Sequence, residues 1–375
     1  MEYRWLGGSE LRVSAIGLGT LPFGGAYGPL DEEEAAAVVH RALDGGINFF
    51  DTSDNYGHGR AEELLGRALR GRRSRAIVAT KGSTALDARG RTANDARPET
   101  ILRAAEESLN LLETDWIDLY QVHLPDPATP VDDTAQALER LVQAGKVRYV
   151  GVSNFWEEDL LAWLEVSPAV ANQMPYNLLH RDIEDGLLPL CRKRGIGLIA
   201  YQPLLFGLFA GRIGPGTAFA PQDHRRAYPG FGELIRATAG LRARLATLAR
   251  EWGLTPAQLA LRWAISRPGV TCAIPGAKRA EQVEENARAG ERPFTSDELA
   301  EINRILTESQ VSATRTVDLP VEEVRDGPRG RYAVLAMGIK VRVPHGVEAG
   351  DMVAMDIVTG RLEAVHGGGN PRGKA

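Results

Sequence analysis

Apolar positions recur along this chain in short continuous runs, each separated from the next by a stretch of helical period. The runs span residues 13–19, 47–52, 76–81, 116–123, 147–154, 169–174, 196–201 and 270–275, and they predict eight strands. Apolar residues at three- and four-residue spacing predict helices over 31–44, 61–70, 98–112, 134–144, 157–164, 187–193, 240–252, 256–267, 280–289 and 296–307. A strand that is apolar at every position is buried on both faces, as in a parallel sheet under a helical layer. Eight of them alternating with helices point to the α/β class and to a closed (β/α)8 TIM barrel. The alternative, an open doubly wound sheet, calls for a glycine-rich phosphate turn after the first strand. Gly17-Leu18-Gly19-Thr20 lacks the third glycine and runs into Pro22 instead.

Three stretches break the alternation. Residues 3–6 and 11–13 flank Gly7-Gly8-Ser9 and predict a hairpin. An insertion over 204–238 follows the seventh strand, where barrels carry ligand-binding loops. Beyond residue 309 helical period disappears and β-branched residues alternate with glycine turns. The domain plan is therefore a barrel over 1–309, a linker over 310–320, a small β-barrel-like domain over 321–366 with strands at 336–343, 352–357 and 362–365, and a flexible tail over 367–375.

Composition narrows the function more than the fold. With a formal charge of -5 and both signs mixed, the chain has no basic stripe for nucleic acid or an anionic membrane. The two cysteines, Cys191 and Cys272, lie in apolar segments and read as buried thiols, so neither a disulfide framework nor a metal cluster is expected. The N-terminus has no basic region followed by an apolar core, and the longest uncharged run, 195–211, is interrupted by Pro203; a cytoplasmic enzyme is the expectation.

Residues 47–81 carry the chemistry. A strand ends in Asp51, the next loop holds Tyr56, the third strand ends in Lys81 and the fourth in His123, so parallel strands deliver all four to one rim. Reducing a carbonyl by hydride needs a proton donor, because an alkoxide is far too basic to leave at neutral pH. A tyrosine serves if a neighbouring cation lowers its pKa; Lys81 is that cation, Asp51 would hold it charged, and a neutral His123 could donate to the substrate oxygen. Taken singly, Asp51 and Lys81 are equally a structural ion pair, Tyr56 a packed rim aromatic and His123 a satisfied polar residue.

The segments FFDTSDNYGHGRAEELLGRAL, ATK, DWIDLYQVHLPDP, VRYVGVSNF, NQMPYNLLHR and CAIPGAKRAEQVEEN together resemble the aldo-keto reductases over about residues 1–308. The resemblance implies a (β/α)8 barrel, bound NADP(H), and a catalytic tetrad of Asp51, Tyr56, Lys81 and His123. It implies carboxamide ligands at Ser153, Asn154 and Gln173, a stacking ring at Tyr201, ribose-side neighbours at Thr20 and Asp51, and a pyrophosphate clamp using Leu204, Gly207 and Arg212. It also implies 2′-phosphate and adenine contacts at Gly276, Ala277, Lys278, Gln282 and Asn286. Lys278 and Arg279 precede a helix N-terminus, which favours an anion and hence NADP over NAD. Gln202, also expected at the cofactor, stands where the family carries a serine or another small residue, a departure that bears on the nicotinamide or pyrophosphate contact. Leu21, Phe23, Tyr27 and Trp156 could wall a substrate pocket or simply pack, and Asp223-His224-Arg225-Arg226 reads as a solvated loop.

Near the C-terminus, VRVPHGVEAGDMVAMDIVTGRLEAV resembles the OB-like domain that ends bacterial elongation factor P. From residue 310 onward nine Lys/Arg face eight Asp/Glu, too even a balance for a phosphate footprint. A packing or homo-oligomerisation module is preferred over an RNA tether. The expected function is NADPH-dependent reduction of a small aldehyde or ketone; the alternative is a nicotinamide-binding redox sensor or regulatory subunit.

Overall fold

The computed structural model describes residues 1–86, 89, 91–228, 230–309, 311, 316–335, 340–356 and 362–366. Eight parallel strands, Leu18–Gly19, Phe49–Asp51, Ile77–Gly82, Ile117–Val122, Val147–Ser153, Ala171–Pro175, Gly197–Tyr201 and Val270–Ala273, pair in sequence order. The sheet closes on itself through bridges between Ile16 and Ala273 and between Gly19 and Gly276, with Gly17 and Gly19 donating to the Ala273 and Pro275 carbonyls. This is the expected (β/α)8 barrel. The first strand is shorter than expected because Arg12–Ser14 leaves the sheet to pair with Tyr3–Trp5. That hairpin plugs the barrel floor, where Leu6, Leu11 and Val13 pack with Phe49, Ala79, Leu119, Ala171, Ile199 and Cys272.

The outer helices form where the apolar stripe placed them, and local signals set their starts. Asp31 and Glu34 make a reciprocal capping box ahead of Glu32–Asp44, and Thr255 with Gln258 makes another ahead of Pro256–Ile265. The insertion holds two short helices, His224–Ala227 and Phe231–Ala237, which its irregular pattern did not announce. A two-stranded hairpin, Thr84–Leu86 with Thr92–Asn94, also went unseen, since three residues per strand carry no readable period.

The C-terminal region departs further from expectation. Five antiparallel strands, Thr316–Gly327, Gly330–Leu335, Lys340–Arg342, Met352–Asp356 and Leu362–His366, lie in the order third, second, first, fourth, fifth. The longest, Thr316–Gly327, starts inside the stretch expected to be a linker. Pro320 and the acids Glu322, Glu323 and Asp326 hid it, yet Pro320 sits beside the irregularity at which the strand changes partner, a place where the missing N–H is tolerated. Gly330–Leu335 was likewise missed. Of the expected strand over 336–343, residues 336–339 lie outside the described residues, as do residue 357 and the 367–375 tail. Val321, Ala333, Leu335, Val343, Val347 and Val353 form a small core of their own.

This sheet docks on the loops that follow the third and fourth barrel strands and on the helix Glu157–Leu164 that follows the fifth. Lys340 donates its backbone N–H to Asn94 at 2.8 Å and its ammonium to Asp126 at 3.2 Å. Arg329 and Arg342 share the Asp159 carboxylate at 2.7 and 2.9 Å, Arg342 also meets Glu158, and Glu322 pairs with Arg89 and Arg91. Backbones come close as well: a Cβ on Gly327 would sit 2.6 Å from the Pro127 carbonyl oxygen.

Candidate active site

Inward-facing positions advance by two along each barrel strand, so one step above the apolar floor the interior turns polar. Phe49 is followed by Asp51, Ala79 by Lys81, Leu119 by Gln121, Ala171 by Gln173 and Ile199 by Tyr201. All of these except Tyr201 are buried.

Lys81 Nζ lies 2.6 Å from Asp51 Oδ1, 2.8 Å from the Thr52 carbonyl oxygen and 3.1 Å from the Tyr56 hydroxyl. The other Asp51 oxygen accepts from Gln173 Nε2 at 2.7 Å and Gln121 Nε2 at 3.4 Å. Both oxygens of the carboxylate and every ammonium proton therefore have a partner, which is what lets an ion pair persist at 1–2 % side-chain exposure. The Tyr56 and His123 rings meet edge to face at 6.2 Å. His123 is tied by its backbone N–H to the Gly82 carbonyl, by its own carbonyl to Asn154 Nδ2 at 3.0 Å, and by Nδ1 to Ser53 Oγ at 3.2 Å. The structure thus brings the four expected residues together.

Their protonation follows from surroundings. Burial alone would push the Lys81 pKa down, but Asp51 and Tyr56, by charge and by hydrogen bond, outweigh it and hold it above the usual value. Burial pushes His123 down to about 3, aided by the Lys81 charge, so its ring is neutral. Tyr56 departs from expectation: burial raises its pKa, and Lys81 offsets this only in part. The phenol keeps its proton in the resting site, and the ammonium is positioned to stabilise the phenolate once that proton leaves.

Beside Asp51 and Tyr56 opens a cavity of about 300 Å³. Its wall includes Tyr201, Gln202, Leu204, Gly207, Gly276, Ala277, Lys278 and Gln282, eight of the residues expected at a cofactor. Thr20 is buried and outside that lining, donating through N and Oγ1 to the Asp51 carbonyl oxygen. Ser153, Asn154, Gln173 and Tyr201 are one connected set: Ser153 Oγ donates to the Gln173 carbonyl, Asn154 Nδ2 to Ser153 Oγ, and Tyr201 OH to Asn154 Oδ1 at 2.8 Å. Lys278 Nζ reaches across the mouth to the Tyr27 and Gly28 carbonyls, while Gln282 Oε1 accepts from the Lys278 and Arg279 backbones. Asn286 is buried on helix Ala280–Ala289 and does not line the cavity. The exit of the seventh strand is strained, with Gln202, Leu205 and Phe206 all at positive φ.

Besides Asn286, three more expected residues lie away from the cavity. Arg212 is 61 % exposed and pairs with Glu285 rather than lining the cavity. Phe23 is wholly buried in the outer core, and Trp156 is half-buried against that core ahead of helix Glu157–Leu164; of the three substrate candidates only Tyr27 lines the cavity, with Leu21 beside it.

Three residues escaped the sequence. Gln121 was legible, since it follows Leu119 by the same two-residue step that links Phe49 to Asp51. Ser53 gives no pattern signal. Arg225, expected in a solvated loop, lines the cavity: Asp223 grips it at 2.6 and 2.9 Å, and it stacks 4.7 Å from the Tyr27 and Phe219 ring centres. Only the folded insertion carries it there. A second hollow, about 690 Å³, is lined by the insertion and contains none of the tetrad. Among the described residues no group of three His, Cys, Asp or Glu is placed to hold a metal, and no helix is long and apolar enough to cross a membrane.

Residues 15–307 match the Aldo/keto reductase family. The chain is 37 % identical over 315 residues to the aldo-keto reductase YhdN of Bacillus subtilis, covering 82 % of this chain and 94 % of that protein. Among solved structures it resembles the glycerol dehydrogenase AKR11B4 of Gluconobacter oxydans (32 % identity, TM-score 0.75, 84 % of this chain and 99 % of that one). It also resembles an aldo-keto reductase of Klebsiella pneumoniae solved in complex with NADPH (32 % identity, TM-score 0.67, 82 % and 96 %). The family match ends ahead of the C-terminal sheet.

Proposed function

The chain belongs to the aldo/keto reductase family of oxidoreductases, and from that premise we propose that it reduces an aldehyde or ketone to an alcohol with NADPH, Tyr56 giving the proton. The observation that carries this reading is the Lys81 ammonium held between Asp51 at 2.6 Å and the Tyr56 hydroxyl at 3.1 Å, at the edge of an open cavity. Its fit to a dinucleotide is supported by the wall itself. Gly19 and Gly276 pair backbone to backbone, and a Cβ on Gly276 would lie 2.8 Å from Pro22; the Gln202 side-chain oxygen is buried without a hydrogen-bond partner among the described residues; Arg225 and Lys278 supply positive charge. Tyr201 would lie against the nicotinamide, Arg225 and the Gly207 turn beside the pyrophosphate, and Lys278 with the start of helix Ala280–Ala289 at the 2′-phosphate.

When bound, NADPH supplies the hydride. The rest falls to this chain. Tyr56 hands its proton to the carbonyl oxygen as that oxygen gains alkoxide character, a downhill transfer even from a phenol of raised pKa. Lys81 stabilises the phenolate left behind, and Asp51 keeps Lys81 charged. His123, neutral, donates to the same oxygen and fixes the carbonyl's orientation. Tyr56→Phe removes the proton and leaves the cavity intact, so kcat for NADPH consumption should fall by about 10²–10⁴-fold while NADPH affinity, read by fluorescence titration, stays within about twofold. Turnover equal to wild type would eliminate Tyr56 as the acid. A screen of aldehydes, ketones and sugars by loss of NADPH absorbance, with NADH in parallel, tests the substrate class and the cofactor.

For the C-terminal sheet we infer a packing role on the substrate side. Its strand order, with one bent strand shared by two partners, supports an OB-like domain over 321–366. Lys340 anchors on Asp126, in the loop that leaves the barrel next to His123, and Arg329 and Arg342 anchor on Asp159, in the helix that starts just after Trp156.

A further inference from the structure

His123 is neutral, so its ring carries one proton and two inequivalent nitrogens. Nδ1 faces Ser53 Oγ at 3.2 Å, which leaves Nε2 to address a substrate oxygen. Whether Nε2 bears the proton is then decided on the Nδ1 side. If Ser53 donates to Nδ1, the ring proton sits on Nε2 and the ring can donate to a carbonyl. If Ser53 gives its hydrogen elsewhere, Nδ1 becomes the donor, and Nε2 presents a lone pair that repels the carbonyl.

Ser53 has one hydrogen and three acceptors within reach: His123 Nδ1, Asp54 Oδ1 at 3.0 Å and Asn55 Oδ1 at 3.1 Å. The Asn55 amide can turn either end toward Ser53, so it follows the proton and does not direct it. The carboxyl cannot. As a carboxylate Asp54 only accepts, and a charge-assisted bond takes the Ser53 hydrogen; as a carboxylic acid it donates to Ser53 Oγ, freeing the Ser53 hydrogen for His123.

We propose that Ser53 and Asp54 are positioning residues that select the His123 tautomer, so that the chain reduces carbonyls well only while Asp54 carries a proton. This rests on His123 polarising the carbonyl, as argued above.

The surroundings of Asp54 place that change within reach of ordinary conditions. Burial raises its pKa; Ser53, the Asn55 backbone N–H and the Lys81 ammonium pull it back, and Glu107 on helix Pro98–Leu111 pushes it up, leaving it at about 6. Glu62 on helix Arg60–Ala68, Tyr120 on the fourth strand and Tyr56 in the same loop also face it. A solvated aspartate would be ionised well below that and would hold the unproductive tautomer throughout the neutral range.

The test uses the full chain with saturating NADPH and 4-nitrobenzaldehyde from pH 5 to 8. Wild-type kcat/KM should fall at least about tenfold as pH rises through about 6. Asp54→Asn carries no charge at any pH and cannot capture the Ser53 hydrogen as a carboxylate does, so the profile should lose this step and the rate at pH 8 should exceed that of wild type. Ser53→Ala should be slow at both ends, with no step and with NADPH affinity unchanged. Nitrogen-15 NMR of the His123 ring should show the proton on Nε2 in wild type at pH 5 and on Nδ1 in wild type at pH 8, with no change between the two pH values in Asp54→Asn. A wild-type step preserved in Asp54→Asn, a wild-type profile in Ser53→Ala, or one tautomer at both pH values in wild type would overturn the relay. If wild type consumed no NADPH with any carbonyl, the reductase reading would fall instead, and the NMR signature would still decide the tautomer.

Discussion

On one side of the barrel mouth, the loops after the first, seventh and eighth strands leave a cavity of about 300 Å³ whose wall includes Gly19, Gly207 and Gly276, four aromatic rings, and the cations Arg225 and Lys278. On the other, the loops after the third and fourth strands and the helix after the fifth are pinned to an added β sheet by Lys340, Arg329 and Arg342. On the first side backbones lie close together, as at Gly276, where a Cβ would meet Pro22 at 2.8 Å. The second is shaped by charged side chains that meet across more than a hundred residues of sequence. The tetrad lies at the seam, with Asp51 and Lys81 held by the barrel interior and His123 by the loops. One half is thus suited to an invariant cofactor and the other to whatever the chain reduces.

Breaking the seam should have the largest effect. Lys81→Met strands a buried Asp51 carboxylate with two amides, which costs about 3–5 kcal/mol in stability and abolishes turnover. Urea unfolding measures the first and NADPH consumption the second. Adding Asp51→Asn should restore most of the stability and none of the rate; rate returning with stability would mean the pair only holds the fold.

Next comes the buried carboxyl Glu62, which sits behind the tetrad strands and donates nothing to the cavity. Its Oε1 accepts from Thr80 at 2.5 Å, and burial, only partly offset by hydrogen bonds, raises its pKa to about 7. Because the folded-state pKa lies above the unfolded value, the fold binds the extra proton. Its contribution is complete below about pH 4.5 and is lost as pH rises through about 7. Glu62→Gln should therefore stabilise the protein on the order of 2–3 kcal/mol at pH 8 and scarcely at pH 4, read from urea midpoints.

Within the cavity half, Arg225→Ala should weaken NADPH binding about 10- to 50-fold, the loss expected for a charged hydrogen bond, and flatten its salt dependence. Arg212→Ala should change it less than about threefold, since Arg212 points at Glu285 outside the cavity. Equal effects would erase the distinction between the two arginines.

The smallest effect should come from the pinned half. Arg342→Gln removes the exposed pair with Glu158 and one of the two arginines on Asp159, which Arg329 still holds, for a loss of about 1 kcal/mol or less. Its KM for a bulky aromatic aldehyde should shift about two- to threefold with NADPH affinity unmoved. A cofactor affinity that shifts as much as the carbonyl KM would show that the sheet serves both sides of the mouth.

Much of the barrel and of the tetrad was open to reading along the chain. A buried parallel strand is apolar throughout, and its C-terminal residue must turn polar where it meets the rim, so Asp51, Lys81 and His123 stand out as strand-end punctuation. Tyr56 followed because the chemistry needed an acid in the intervening loop. Gln121 obeyed the same two-residue step and could have been found. Arg225 could not, because its loop folds back through an insertion with no regular period. The strand Thr316–Gly327 stayed hidden because Pro320 and the acids Glu322, Glu323 and Asp326 mask a segment whose burial comes only from its neighbours.

The order of elements, the barrel's closure and the chemical identity of the rim are local consequences of where apolar and polar residues alternate, and sequence alone determined them. Protonation and distance were decided in three dimensions. Tyr56 keeps its proton because burial outweighs the ammonium beside it, Ser53 comes within 3.2 Å of a histidine seventy residues away, and the added sheet grips one half of the rim. Desolvation and charge pairing depend on every group that packs nearby, and those neighbours are assembled from all along the chain.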